Sequence, residues 1–101
     1  MAKLYVENHN VVWIRYPCPG CKHDHTVPAE RWHWNGDVDK PTLSPSVRHY
    51  YHHPDDNREI TICHYRIKNG VIEFCDDCQH KLRGQSVPMV EVAANKPPLG
   101  T

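Results

Sequence analysis

The chain has 101 residues, 39% of them hydrophobic, with one Phe and three Trp, which suits one domain with a thin core. Lys plus Arg and Asp plus Glu both number 12, so the basic excess of a nucleic-acid clamp is missing and a nucleic-acid partner is not expected. No apolar run approaches the ~20 residues that span a bilayer, and the first residues hold no apolar signal-peptide core, so the expectation is a cytoplasmic protein with no membrane partner.

Residues 4–7 and 11–16 are rich in β-branched and aromatic side chains and read as strands, with a turn over 7–10. Pro17 ends the second strand and opens Cys18-Pro-Gly-Cys21. Residues 26–27 and 31–34 read as further strand pieces. Trp32 and Trp34 alternate onto one face and are expected to be the main filling of the core. Asn35-Gly36 is a turn signal, because both residues tolerate positive φ. Pro41 and Pro45 force residues 40–46 into extended or turn geometry.

Residues 47–51 read as a strand and 52–58 as a polar surface loop. Residues 59–67 alternate apolar and polar, and 68–70 turn them into 71–74, which predicts a hairpin at the centre of the fold. Residues 80–85 read as a short helical turn stopped by Gly84. Residues 86–92 read as a last strand, placed at an edge by Pro88. The predicted fold is mostly β: a small single-domain antiparallel sheet with zinc knuckles and little helix over residues 1–92, followed by a flexible tail over 93–101.

Five Cys and nine His are present, and most fall in two clusters, Cys18 to His25 and Cys63 to His80. In a reducing compartment such clusters favour metal over disulfide. One structural zinc is expected, because Zn²⁺ takes four thiolate or imidazole ligands in a tetrahedron. Cys18 and Cys21 are the first pair, since Pro19-Gly20 allows the tight turn that aims both sulfurs inward. Spacing alone offers Cys75 and Cys78 as the second pair. Cys78 and His80 are the alternative, because alternate residues of an extended chain share a face. Cys63, His23 and His25 are further candidates.

Ser44 and Ser46 flank Pro45, and a serine nucleophile needs rigid placement and a neighbouring base. By spacing alone this segment reads as a structural turn with hydroxyls bonded to backbone. The sequence holds no G-x-S-x-G elbow, no H-E-x-x-H and no zinc-deaminase signature.

Read together, Cys18-Pro-Gly-Cys21, Trp32-His-Trp-Asn-Gly-Asp37, Lys40-Pro-Thr-Leu-Ser-Pro-Ser46, Cys63-His64 and Asp77-Cys78-Gln-His80-Lys-Leu-Arg-Gly-Gln-Ser-Val87 stand in one order over positions 16–88. In this the chain resembles a family of small phage- and defence-locus-encoded zinc-binding proteins, often mislabelled ammonia monooxygenase. Some members are linked to bacterial ubiquitin-like conjugation operons. The resemblance implies a serine-type peptidase that processes or removes a ubiquitin-like protein in phage or bacterial defence. Ser46 is the implied nucleophile, with Ser44 as its rival, and His64 the implied base. Backbone amides of residues 40–46 are the expected oxyanion donors. The position of Cys75 is usually apolar in that family, which leaves Cys18, Cys21, Cys78 and His80 as the implied zinc ligands. The alternative is a non-catalytic zinc-binding module that presents its Trp/His face to a protein partner.

Overall fold

The structure, a computed structural model, describes residues 2–92; the expected tail lies outside them. Eight strands occur in this span: β1 Tyr5–His9, β2 Val11–Pro17, β3 Asp24–Pro28, β4 His33–Trp34, β5 Leu43–His52, β6 Glu59–Lys68, β7 Val71–Phe74 and β8 Ser86–Pro88. All neighbours pair antiparallel, in two sheets ordered β1-β2-β3 and β4-β5-β6-β7-β8. Among the described residues there is no helix, and none long and apolar enough to cross a membrane.

The predicted hairpin is β6–β7, with Lys68 paired to Val71. Its two turn residues both take positive φ, Asn69 at 51° and Gly70 at 78°. That left-handed pair matches the twist of the flanking strands. The hairpin puts β6 at the middle of the larger sheet. Other elements moved from their expected bounds. β1 and β2 run on to meet at Asn10, whose φ of 69° makes the turn tighter than the expected 7–10. β8 stops at Pro88, though it does lie at the sheet edge. Residues 80–85 form turns and no helix, closed by Gly84 at φ 74°.

β6 carries the alternation that organises the molecule. Cys63, Tyr65 and Ile67 are buried while Arg66 and Lys68 are exposed and His64 is half-buried. The inward residues meet Ile14, Tyr16 and Val27 of the smaller sheet in one core cluster. Tyr16 and Tyr65 are its largest fully buried side chains, edge to face with centroids 6.1 Å apart and their hydroxyls bonded to each other. The expectation that the tryptophans fill the core is therefore corrected: Trp32 and Trp34 are only partly buried against it. Their indole N–H groups reach backbone carbonyls near the surface, which a central position would deny them.

A second contact joins the sheets. His25 of β3 stacks on His49 of β5 at 3.9 Å, and His49 Nε2 lies 2.9 Å from the Tyr65 hydroxyl. Burial, with His25 beside it, pushes the His49 pKa down to about 4, so His49 is neutral at pH 7. Arg15 is buried in the smaller sheet between Glu7 at 3.1 Å and Asp24 at 3.3 Å.

Gly70 has little tolerance for a side chain. A Cβ there would sit 3.3 Å from the backbone of Asp39 and Lys40, at a φ that L residues disfavour by about 1–2 kcal/mol. Gly70→Ala is expected to lower unfolding free energy by at least that amount in urea titration, with the midpoint shifted and the slope kept.

Candidate active site and thiol cluster

The nucleophile candidate sits on an irregular stretch of β5. Leu43 pairs with Ile67 and Val47 with Tyr65, so Ser44, Pro45 and Ser46 together oppose only Arg66. The extra residues form a bulge, which breaks the ladder and re-aims side chains. Pro45, joined to Ser44 by a cis peptide, has no N–H to lose there. Ser44 is exposed, whereas Ser46 is half-buried and its Oγ lies 3.3 Å from His64 Nε2. That is a long hydrogen bond, of the kind that tightens when substrate binds.

His64 lies on the outward side of β6. Its Nδ1 is 3.1 and 3.2 Å from the two carboxylate oxygens of Asp77, so the ring stands between hydroxyl and carboxylate. Nδ1–H donating to Asp77 leaves Nε2 free to accept from Ser46. The sequence offers Asp77 only as the first residue of the Asp77-Cys78-Gln-His80 motif, with no role assigned to it. The available signal was its position directly before Cys78. The loop that carries it is tied back along β6: Cys75 N–H donates to His64 O at 2.9 Å, and Gln79 N–H to Ile62 O at 3.1 Å.

The turn around Ser46 is held from behind. Trp32 Nε1–H donates to Ser46 O at 3.3 Å. Asn35 Oδ1 accepts from the amides of Asp37 and Thr42, and Asp37 Oδ1 from those of Asp39 and Lys40. The Lys40 and Asp39 amides hold the Asp37 carboxyl below its ordinary pKa. This clasp explains why Trp-x-Trp-Asn-Gly-Asp and Lys-Pro-Thr-x-Ser-Pro-Ser occur together. Within residues 40–46 the Lys40 and Thr42 amides already have acceptors, and Pro41 and Pro45 have no N–H.

Behind β6 lies the thiol cluster. All five cysteines are free, and Cys18, Cys63 and Cys78 are buried. Cys18, Cys21, His25 and Cys63 have ligand atoms within 4.8 Å of one another, as do Cys63, Cys78 and His80, so a metal-sized group of donors is present. Cys63 belongs to both groups. Its Sγ is 4.0 Å from Cys18 Sγ, 3.9 Å from Cys78 Sγ and 3.4 Å from His80 Nε2. A tetrahedron of sulfurs around zinc at about 2.3 Å has edges of about 3.8 Å. The donors thus match a soft tetrahedral cation, and His25, whose buried Nε2 lacks a hydrogen-bond partner, belongs to the first of these groups. Of the four residues expected from sequence as ligands, Cys18 and Cys21 fall in one group and Cys78 and His80 in the other, with Cys63 between. Cys75 lies apart, grouped with His64 and Asp77. His23 is exposed, its ring set edge-on against His25.

Electrostatics within the cluster are those of thiols sharing one proton-poor site. The hydrogen bond from Cys63 pulls the Cys18 pKa down to about 3. That same bond and burial push Cys63 up, and burial pushes Cys21 up to about 11. One thiolate is therefore favoured and further ones are resisted until a cation compensates them. Gly20 completes the knuckle: a Cβ there would collide with the His80 ring.

Two links couple the cluster to the surface trio. Cys63 and His64 are chain neighbours, as are Asp77 and Cys78. In addition, the His64 amide donates to Cys78 Sγ at 3.1 Å, and the Cys78 thiol donates to His64 O at 3.0 Å.

Residues 1–75 match the family described as bacterial ubiquitination-like system serine protease (BubE). No match was found among curated proteins or among solved structures.

Asn35→Ala removes two acceptor contacts and the Nδ2–H donation to Lys40 O at 3.1 Å. Hydrogen exchange at the Asp37 and Thr42 amides is expected to accelerate, with stability reduced by about 1–2 kcal/mol.

Proposed function

The chain belongs to the family of bacterial ubiquitination-like system serine proteases, and we propose that it is a serine peptidase that hydrolyses a bond at or near the C-terminus of a ubiquitin-like protein. The observation that carries this reading is the connected run Ser46 Oγ, His64 ring, Asp77 carboxylate. A non-catalytic binding module has no need of that order on an otherwise open surface.

In the proposed reaction Ser46 Oγ attacks the scissile carbonyl while His64 Nε2 takes its proton. Asp77 accepts from His64 Nδ1–H, which fixes the tautomer and stabilises the imidazolium. The tetrahedral oxyanion is met by backbone amides of the bulge around Ser46. His64 then gives its proton to the leaving amine, and the acyl group stays on Ser46. Water, deprotonated by His64, attacks the ester and restores the hydroxyl. Ser44 is set aside as nucleophile because its exposed side chain makes no hydrogen bond to a histidine among the described residues.

The metal proposed for the cluster is one Zn²⁺ in a structural role, held by Cys18, Cys21, Cys63 and Cys78. Bound there, it would supply charge to stabilise thiolates and a cross-link between the knuckle, β6 and the Asp77 loop. Cys63 takes the place that sequence reading gave to His80, on the ground that it is the sulfur common to both donor groups. His80, against Cys63 and Gly20, closes the site from outside. What the residues themselves do is hold His64: Cys63 through the strand, Cys78 through the His64 amide.

Purified protein incubated with ubiquitin-like precursors from bacterial ubiquitination-like systems is expected to shorten one at its C-terminus. Ser46→Ala should abolish cleavage and His64→Ala should lower kcat by at least about a thousandfold. Asp77→Asn should cost less than His64→Ala, because Asp77 is half exposed and water can replace part of its charge. Cleavage at wild-type rate by a folded Ser46→Ala protein would remove Ser46 from the mechanism.

Metal content by elemental analysis is expected at one zinc per chain. Cys63→Ser should lose it together with most of the folded population, since structural zinc binding is folding free energy. Cys75→Ser and His80→Ala should keep it. Zinc retained in Cys63→Ser and lost in His80→Ala would exchange those two assignments.

A further inference from the structure

Two arginines flank His64 on β6 and its neighbour. Arg48 is the cross-strand partner of His64, and Arg66 lies two residues along β6, opposite the Ser44–Ser46 bulge. Two residues of strand span about 6.6 Å, within the reach of an arginine side chain toward the hydroxyl of Ser46. The two cations are in different states. Arg48 is fully engaged: its Nη1 meets Glu59 at 2.7 Å, its Nε donates to Thr61 Oγ1 at 2.9 Å, and its guanidinium lies 4.7 Å from the Tyr50 ring centroid. Arg66 is exposed and has no side-chain hydrogen bond or ion pair among the described residues. Even its cross-strand partner Glu73 stays outside pairing distance.

Arg66 also stands where two surface depressions meet. One, of about 300 Å³, runs from Ser46 and Ser44 past Arg66 to Lys68. The other, of about 370 Å³, runs from Arg66 to Asp76 and Ser86. The stretch beside the serine is the cationic one, with Arg66 and Lys68 against Glu73 alone. The far stretch carries Glu73 and Asp76. Both are open and shallow, shaped for an extended segment lying across the sheet rather than for an enclosed small molecule.

We propose that the depression beside Ser46 is the subsite for the substrate residue next to the scissile bond, and that Arg66 is its specificity-determining residue, selecting an acidic side chain. This rests on the peptidase reading given above. A guanidinium presents a planar fork of donors that matches a carboxylate with two parallel hydrogen bonds. An arginine left unpaired beside the nucleophile has that fork ready. Because the pair would be solvent-exposed, its worth is at most about fivefold in binding.

The test uses metal-replete protein and a cleavable ubiquitin-like precursor made with Glu, Gln or Lys at each of the two residues flanking the cut. Labelling of Ser46 by a fluorophosphonate is measured in parallel. At one of the two positions the wild type should prefer Glu over Gln by about fivefold in kcat/KM, through KM, and disfavour Lys. Arg66→Ala should collapse that Glu-to-Gln ratio toward one. Arg66→Glu should invert it in favour of Lys, a gain that misfolding cannot produce. Equal rates on all three precursors, or a uniform loss in Arg66→Ala with the ratio kept, would overturn the proposal while leaving the peptidase reading intact. Ser46-dependent labelling with no precursor cut overturns it too. Absence of both labelling and cleavage strikes the peptidase reading itself.

Discussion

The arrangement of this protein depends on the alternation of one strand. On β6 Cys63 points into the core and His64 points out, so one backbone step separates a buried sulfur from a surface imidazole. The same step recurs in the loop after β7, where Asp77 is exposed and Cys78 buried. Sulfurs gathered beneath the sheet therefore gather a histidine and a carboxylate above it. The His64 amide bonded to Cys78 Sγ joins the two levels directly. A chain with a thin core has little other means of holding surface residues to a fraction of an ångström.

The bulge in β5 is the complementary device. A regular strand would present alternate residues in register with β6, and Ser46 would be one more side chain on a flat face. With three residues opposite Arg66 the ladder opens, and Ser46 turns toward His64. Keeping an irregular segment in one conformation requires partners for its backbone. The Asn35 and Asp37 side chains and the Trp32 indole supply them. Residues with no contact to the His64 ring thus have a defined mechanical task.

The openness of the trio is itself informative. Asp77 is half exposed and the adjoining depressions are shallow, so water is not excluded before substrate arrives. In such a site the attraction between the Asp77 carboxylate and the His64 ring is screened. A protein substrate whose tail lies across the sheet would cover the trio and strengthen each of its hydrogen bonds. The same geometry makes this surface a poor host for small molecules, which it cannot surround.

Local chemistry in the sequence determined the strands with clear alternation, the Asn-Gly hairpin, the edge placement of Pro88 and the Cys-Pro-Gly-Cys knuckle, because each depends on residues within a few positions of one another. It also offered Ser46 and His64, through the order of motifs rather than through any spacing between them. Several things could be decided only by tertiary structure. The partition into two sheets and the Tyr16–Tyr65 centre of the core depend on which faces meet. The place of Cys63 between both donor groups and of Asp77 against the imidazole depends on contacts across 13 to 45 positions of chain. Periodicity says which side of a strand a residue occupies, but not which other strand's residues will be there to meet it.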